Sequence, residues 1–244
     1  MHIFITGGTR GIGRGMVKEF IKKGHHVTYT GTTHNSVNES TLELKGDYLA
    51  LVCDVRDYLL FEKTVEKAIE KHGNIDIFIN NAGVDQLDDY IYKLPPEEIK
   101  KVIDINVIGT MYGVNIILKH MIKAKKGVVY NFEGLGSNNM VIPKTIVYGS
   151  SKRLIRYFSK AVNKEIKEYK NIHVGTIQPG MVFTDLLLHN MSEEGMKVAR
   201  ILGNEVEEVT SFIVKHILNG KKKVVFPTYR KAIRNLFRKN TRSV

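Results

Sequence analysis

Thr6-Gly-Gly-Thr-Arg-Gly-Ile-Gly13 joins a β-branched run, His2-Ile-Phe-Ile-Thr6, to a segment of helical spacing from Arg14 to Lys23. A strand-to-helix turn needs glycine where the backbone bends tightly, where it approaches a pyrophosphate closely, and where the helix packs on the strand. Gly7, Gly11 and Gly13 fit those three needs. The helix that follows offers unpaired N–H groups and the positive end of its dipole to phosphates. An ordinary tight turn would use the same glycines, but their place at the first strand–helix junction favours a dinucleotide.

On either side of that turn, β-branched runs alternate with amphipathic segments. Strands are expected at 2–6, 26–31, 48–53, 75–80, 127–132, 172–177 and 222–227, with helical spacing between most of them, as in Val65, Ala68 and Ile69. A β-α-β-α order calls for a parallel sheet covered by helices, with ligands at the carboxyl ends of the strands where strand order reverses. The expected fold is therefore α/β: one doubly wound parallel sheet of about seven strands with helices on both faces. It would occupy residues 1–228, with a basic tail at 229–244.

Composition narrows the classes further. The 244 residues are 43% apolar, with one Cys and no Trp, which excludes disordered, collagen-like and disulfide-scaffold chains. Cys53 has no internal disulfide partner, which suits a reducing compartment, with the cytoplasm as the default. The first strand follows Met1 directly, so no signal or transit peptide is expected. No apolar run approaches the roughly 18 residues of a membrane span.

The net charge of +12 is unevenly placed: the last thirty residues, Lys215 to Val244, carry ten Lys or Arg and no acid. The remainder holds 27 basic against 25 acidic residues, so a specific nucleic-acid partner for the main domain lacks its electrostatic footprint. Within the tail, Tyr229-Arg-Lys-Ala-Ile-Arg-Asn-Leu-Phe-Arg-Lys239 sets Ile233, Leu236 and Phe237 on one face among basic residues. That pattern suits an anionic membrane surface, an acidic partner, or docking on the domain or on a second subunit.

After the second strand an NAD enzyme usually carries an acid for the adenine ribose hydroxyls, yet this chain reads Val27-Thr-Tyr-Thr-Gly-Thr-Thr33. Arg10, with the Thr32 and Thr33 hydroxyls, suits a 2′-phosphate instead, because guanidinium binds it bidentately and no carboxylate repels it. NADP(H) is expected in preference to NAD(H). No metal is expected.

Four more motifs follow in order: Asp54-Val55, Asn80-Asn-Ala-Gly83, Tyr148-Gly-Ser-Ser-Lys152 and Pro179-Gly180. Together with the glycine turn they resemble the short-chain dehydrogenase/reductase family over nearly the whole chain. Tyr130-Asn-Phe-Glu-Gly-Leu-Gly-Ser137 and Pro179-Gly-Met-Val-Phe-Thr-Asp-Leu-Leu-Leu188 look, more narrowly, like the plant chlorophyll b reductases within it, which reduce a formyl group on a tetrapyrrole. The resemblance implies a single Rossmann-like domain, carbonyl/alcohol redox on a small-molecule substrate, and a homodimer or homotetramer. It also implies cofactor contacts by Gly7, Thr9, Arg10, Gly11, Ile12, Gly13, Thr32, Asp54, Val55, Asn80, Ala82, Gly83, Tyr148, Lys152, Pro179, Gly180, Val182 and Thr184. Asp54 would otherwise cap the helix before Tyr58, and Asn80-Asn81 would otherwise be a structural strand end.

Tyr148 and Lys152 are four residues apart, so on a helix both reach one site. Carbonyl reduction needs a proton as hydride arrives. A free phenol titrates near 10, so a nearby cation has to stabilise phenolate; Lys152 and the oxidised nicotinamide would supply that field. Tyr148 is then the general acid in reduction and the base in oxidation. The family's catalytic serine, about thirteen residues before the tyrosine, is replaced here by Leu135. The nearest hydroxyl is Ser137, in a glycine-rich loop, with Asn138 or Asn139 as alternative donors. Asn106 matches the family's helix asparagine, which holds a water linking the lysine to solvent; a helix kink or a buried amide bound to backbone is the other reading. Leu186, Leu187, Leu188, Met191 and Met196 favour an apolar substrate. With the serine displaced, an NADP(H)-binding sensor without turnover is the competing reading.

Overall fold

A computed structural model of the chain describes residues 1–188 and 193–228. Seven strands lie in one all-parallel sheet: β1 (His2–Ile5), β2 (His26–Gly31), β3 (Tyr48–Val52), β4 (Ile77–Asn80), β5 (Gly127–Phe132), β6 (Ile172–Gln178) and β7 (Lys223–Val225). Their order is β3-β2-β1-β4-β5-β6-β7. Every strand begins and ends within two residues of the range read from sequence, because short runs rich in β-branched and other apolar residues mark them.

The helices are α1 (Gly11–Lys22), α2 (His34–Thr41), α3 (Tyr58–His72), α4 (Pro96–Ile103), α5 (Thr110–Ala124), α6 (Ile146–Glu165), α7 (Asp185–Leu188), α8 (Glu193–Leu202) and α9 (Val206–Leu218). Alternation along the central strands divides the core. Ile3, Ile5, Ile77 and Ile79 face one layer, packed with Met16 and Phe20 of α1 and Val209 and Ile213 of α9. Phe4 and Phe78 face the other, stacked at 4.9 Å and packed with Phe61 of α3 and Val114 and Ile117 of α5. Burial on both faces explains why β1 and β4 read as continuous apolar runs.

Strand order reverses between β1 and β4, so the turns leaving these two strands splay apart and open a crevice at their carboxyl ends. Between α4 and α5 the helix loosens into a π-helical segment, Asp104–Gly109, a widening that often accompanies functional sites.

The membrane reading needs correction. The continuous helical run Pro96–Ala124 is long and apolar enough to span a bilayer by length and composition, with a mean hydropathy of 1.3 in its apolar window. Half of that window is buried, and Val114, Ile116, Ile117 and Met121 serve the core. The basic tail at 229–244 and Met191 lie outside the described residues.

Candidate active site

The glycine turn is built for close approach. Gly7 has φ +65°, and a Cβ there would stand 2.9 Å from the Ala82 Cα; at Gly13 a Cβ would be driven into the Gly7 carbonyl oxygen. The turn is tied to β4 by Asn81, whose amide donates to the carbonyls of Thr6 (3.0 Å) and Gly7 (2.9 Å). Arg10 precedes α1 without capping it, and no acid sits in the first turn. The first N–H groups of α1 therefore have no side-chain acceptor, which leaves them for an anion.

A crevice of about 390 Å³ runs from this turn, lined among others by Gly7, Thr9, Arg10, Gly11, Ile12, Gly13, Thr32, Asp54, Val55, Ala82, Gly83 and Thr184. Thr184 closes over the turn, its Cγ2 being 3.3 Å from where a Gly11 Cβ would stand. Arg56, Asn81 and Leu186 also line the crevice.

Several residues that the sequence assigned to the cofactor or its phosphate also make contacts within the protein. The Asn80 amide donates to Asn131 Oδ1 (2.9 Å), and the Asn131 amide donates to Ser159 (2.9 Å). This buried relay joins β4, β5 and α6. Val182 is buried in the core and bridges to Asn204. Gly180, after Pro179, takes φ +72° against Thr228. Thr33 caps α2, accepting from Ser36 N–H, so its hydroxyl is already occupied. Asp54 is not the cap of α3. Asp57 is, while Asp54 is paired with Arg56 at 2.6 Å, which holds its carboxyl below the usual range.

Behind Gly83, on the crevice wall, stands α6. Its third N–H, that of Tyr148, is capped from outside by Gln86 Oε1 at 2.9 Å, and the Gln86 amide donates to the Lys144 carbonyl at 2.8 Å. Gln86, three residues after Gly83, thereby fixes where Tyr148 stands relative to the crevice. Lys152 Nζ lies 5.5 Å from the Tyr148 ring centroid, and 3.4 Å from where a Gly83 Cβ would be. Asn106, in the π-helical segment, exchanges hydrogen bonds with the Val84 backbone (2.8 and 2.9 Å) and donates to Ser151 at 3.2 Å. Its amide is thus satisfied by protein, and it braces the strand end that carries Gly83.

The electrostatics differ from the expectation. Burial, and secondarily Asp85, push the Tyr148 phenol up rather than down. Burial pushes Lys152 down to about 8, opposed by Asp85. Asp85 is itself raised, chiefly by burial. At 5.5 Å the lysine does not overcome the desolvation of the phenolate, and a bound oxidised nicotinamide is the remaining positive charge that would favour it.

The residue that meets Tyr148 is Gly134. A Cβ there would stand 2.6 Å from the hydroxyl and 3.1 Å from Lys152 Cγ. Ser137 lies three residues on, fully buried, its Oγ without a hydrogen-bond partner and its carbonyl held by Arg153 (3.1 Å) and Arg156 (2.8 Å). Glu133, beside Gly134, is buried with Oε2 unpartnered. Sequence reasoning missed Asp85, Gln86 and the facing role of Gly134. Their proximity to Asn80-Asn-Ala-Gly83 was the available signal for the first two.

The short chain dehydrogenase family matches residues 1–196. The chain belongs to that family. Among short chain dehydrogenases it is 31% identical over 229 residues to "Chlorophyll(ide) b reductase NOL, chloroplastic" of Oryza sativa subsp. japonica, covering 88% of this chain and 66% of the relative. It is 31% identical over 201 residues to "3-oxoacyl-[acyl-carrier-protein] reductase FabG" of Chlamydia pneumoniae, covering 80% of each. The chain spans about half to two thirds of the length of the plant chlorophyll(ide) b reductases it matches.

Two solved structures share the fold. One is 3-ketoacyl-(acyl-carrier-protein) reductase from Brucella melitensis complexed with NADH, with TM-score 0.84, 22% identity, and coverage of 94% of this chain and 98% of that one. The other is the closed form of serine dehydrogenase complexed with NADP+, with TM-score 0.81, 24% identity, and coverage of 93% and 94%.

Proposed function

We propose that the protein is an NADP(H)-dependent oxidoreductase interconverting a carbonyl and an alcohol on an apolar substrate. The observation that carries this reading is the Lys152 ammonium beside Gly83, which lines a glycine-rich crevice, with Tyr148 next to that ammonium and its phenol against Gly134. The crevice suits a dinucleotide: its turn admits no Cβ at Gly13, and α1 begins without a side-chain cap or an acid. Arg10 and Thr32 would take the 2′-phosphate, the α1 N-terminus the pyrophosphate, and Asp54 and Val55 the adenine end.

When bound, the nicotinamide gives or accepts the hydride. Tyr148 donates its proton to the carbonyl oxygen in reduction and takes it back in oxidation. Lys152 holds the nicotinamide ribose and sets its charge beside the phenol. Because glycine rather than serine meets Tyr148, polarisation of the carbonyl falls to main-chain N–H groups of the Gly134–Gly136 loop. Leu186 on the crevice wall, with the exposed Leu188 of α7 and Val198 and Ile201 of α8, supports an apolar substrate. A formyl group on a large apolar molecule is the second reading, favoured by the 31% identity to the rice chlorophyll(ide) b reductase.

Consumption of NADPH and NADH against a panel of aliphatic and aromatic aldehydes and ketones tests this. Turnover of at least one apolar carbonyl is expected. Tight NADPH binding with no turnover across the panel would instead establish the sensor.

A further inference from the structure

At the end of the sheet opposite the crevice, three metal-ligating side chains converge from three parts of the chain. His26 opens β2, Asp47 precedes β3, and His72 closes α3. One ligand atom from each lies within 4.8 Å of the other two. His26 Nδ1 is 2.5 Å from one Asp47 carboxylate oxygen, and His72 Nε2 is 3.7 Å from the other. The two imidazoles stack at 5.4 Å with 21° between their planes.

An ion pair between His26 and Asp47 explains only part of this. The His72 side chain is 5% exposed, and its Nε2 is buried without a hydrogen-bond partner, aimed at the carboxylate from beyond hydrogen-bond reach. A buried ring nitrogen without a partner costs free energy unless something fills the gap. His2 supports the ring rather than competing for a ligand: it lies edge-on to His72 at 5.3 Å, with both its nitrogens engaged, by the Gly73 carbonyl and the Thr28 hydroxyl.

We propose that His26, Asp47 and His72 form a binding site for a divalent transition ion of the zinc type. Two imidazole nitrogens and one carboxylate are a donor set for zinc and its neighbours rather than for calcium or magnesium, which prefer all-oxygen shells. Three protein ligands leave a fourth position for water. Ligand atoms about 2.0–2.2 Å from a shared tetrahedral ion stand about 3.3–3.6 Å apart, so the 3.7 Å His72–Asp47 pair already nearly fits and the 2.5 Å His26–Asp47 contact has to open by about 1 Å, which rotation of those two half-exposed side chains allows. The ion would clip β2, the approach to β3 and the end of α3 together, far from the crevice, so its role is structural rather than catalytic.

Isothermal titration of the full chain with Zn²⁺ tests the site, with Co²⁺ absorption reporting the ligand geometry. One ion per chain, a rise in Tm on binding, and at least a tenfold loss of affinity in each of His26→Gln, Asp47→Asn and His72→Gln are expected. His26 and Asp47 are half exposed, so those two variants keep the fold; retained NADPH affinity checks it. Absence of saturable one-to-one binding, or affinity unchanged in Asp47→Asn, overturns the proposal.

Discussion

The Tyr148 hydroxyl occupies the space where a side chain at Gly134 would begin, 2.6 Å from where its Cβ would stand. The absence of a side chain at 134 is therefore a condition for the phenol to stand where it does.

Gly134→Ala should move the phenol and lower turnover on the order of 10²-fold, the usual cost of misplacing a reacting group by about an ångström. NADPH affinity, measured by fluorescence titration, should hold. Ser137→Ala should leave turnover little changed and Tm unchanged or raised, because it deletes a buried hydroxyl without a partner. A loss of about 10²-fold in Ser137→Ala would return carbonyl polarisation to that hydroxyl.

Tyr148→Phe should abolish turnover and keep cofactor affinity, since the ring remains and only the transferable proton is lost. Lys152→Ala should weaken both, because the ammonium serves the ribose and the phenol together. Steady-state kinetics beside NADPH titration separates these effects, and turnover surviving in Tyr148→Phe would remove the hydroxyl from the proton step.

Thr32→Asp should reverse or erase the preference for NADPH. The new carboxylate would stand at the end of β2 on the crevice wall, where it accepts from ribose hydroxyls and repels a 2′-phosphate. Competitive titration of NADPH and NADH reads this directly. Equal affinities in the parent protein would sink the assignment of Arg10 and Thr32.

Strand order and the crevice were legible in sequence because both rest on local signals. Continuous apolar runs give β1 and β4, and the glycine turn falls where a helix must start against a strand. What stayed hidden depends on distance in the chain. Gly134 meets Tyr148 only because the loop after β5 folds onto α6, and counting thirteen residues back lands one position late, on Leu135. Thr33 resembled a phosphate ligand, yet Ser36 three residues later makes it a helix cap. Tyr148 and Lys152 share a helix face, as their spacing requires, but the sign of their electrostatics depends on burial and on Asp85, which spacing does not report. His26, Asp47 and His72 lie 21 and 25 residues apart, far wider than the short ligand spacings by which a metal site is read from sequence.

Burial of Lys152 makes both stability and catalysis depend on pH. Lys152 titrates near 8 in the fold against 10.5 for the free side chain, so the unfolded chain binds more protons between those values. Stability contributed by this group therefore rises with pH across that window: the full penalty of burying the ammonium, about 3 kcal/mol, applies below pH 8 and is relieved toward 10.5. Cys53, raised to about 11 by burial, acts in the opposite direction above 9, so the comparison has to be made against Lys152→Met. Urea unfolding at pH 7, 8, 9 and 10 should show the parent gaining on that variant as pH rises. In catalysis the charged lysine is the working form, so kcat/KM for reduction should fall as pH passes about 8. A reduction profile flat to pH 10, with no pH-dependent stability difference between parent and Lys152→Met, would show that this ammonium is not held in the buried site described.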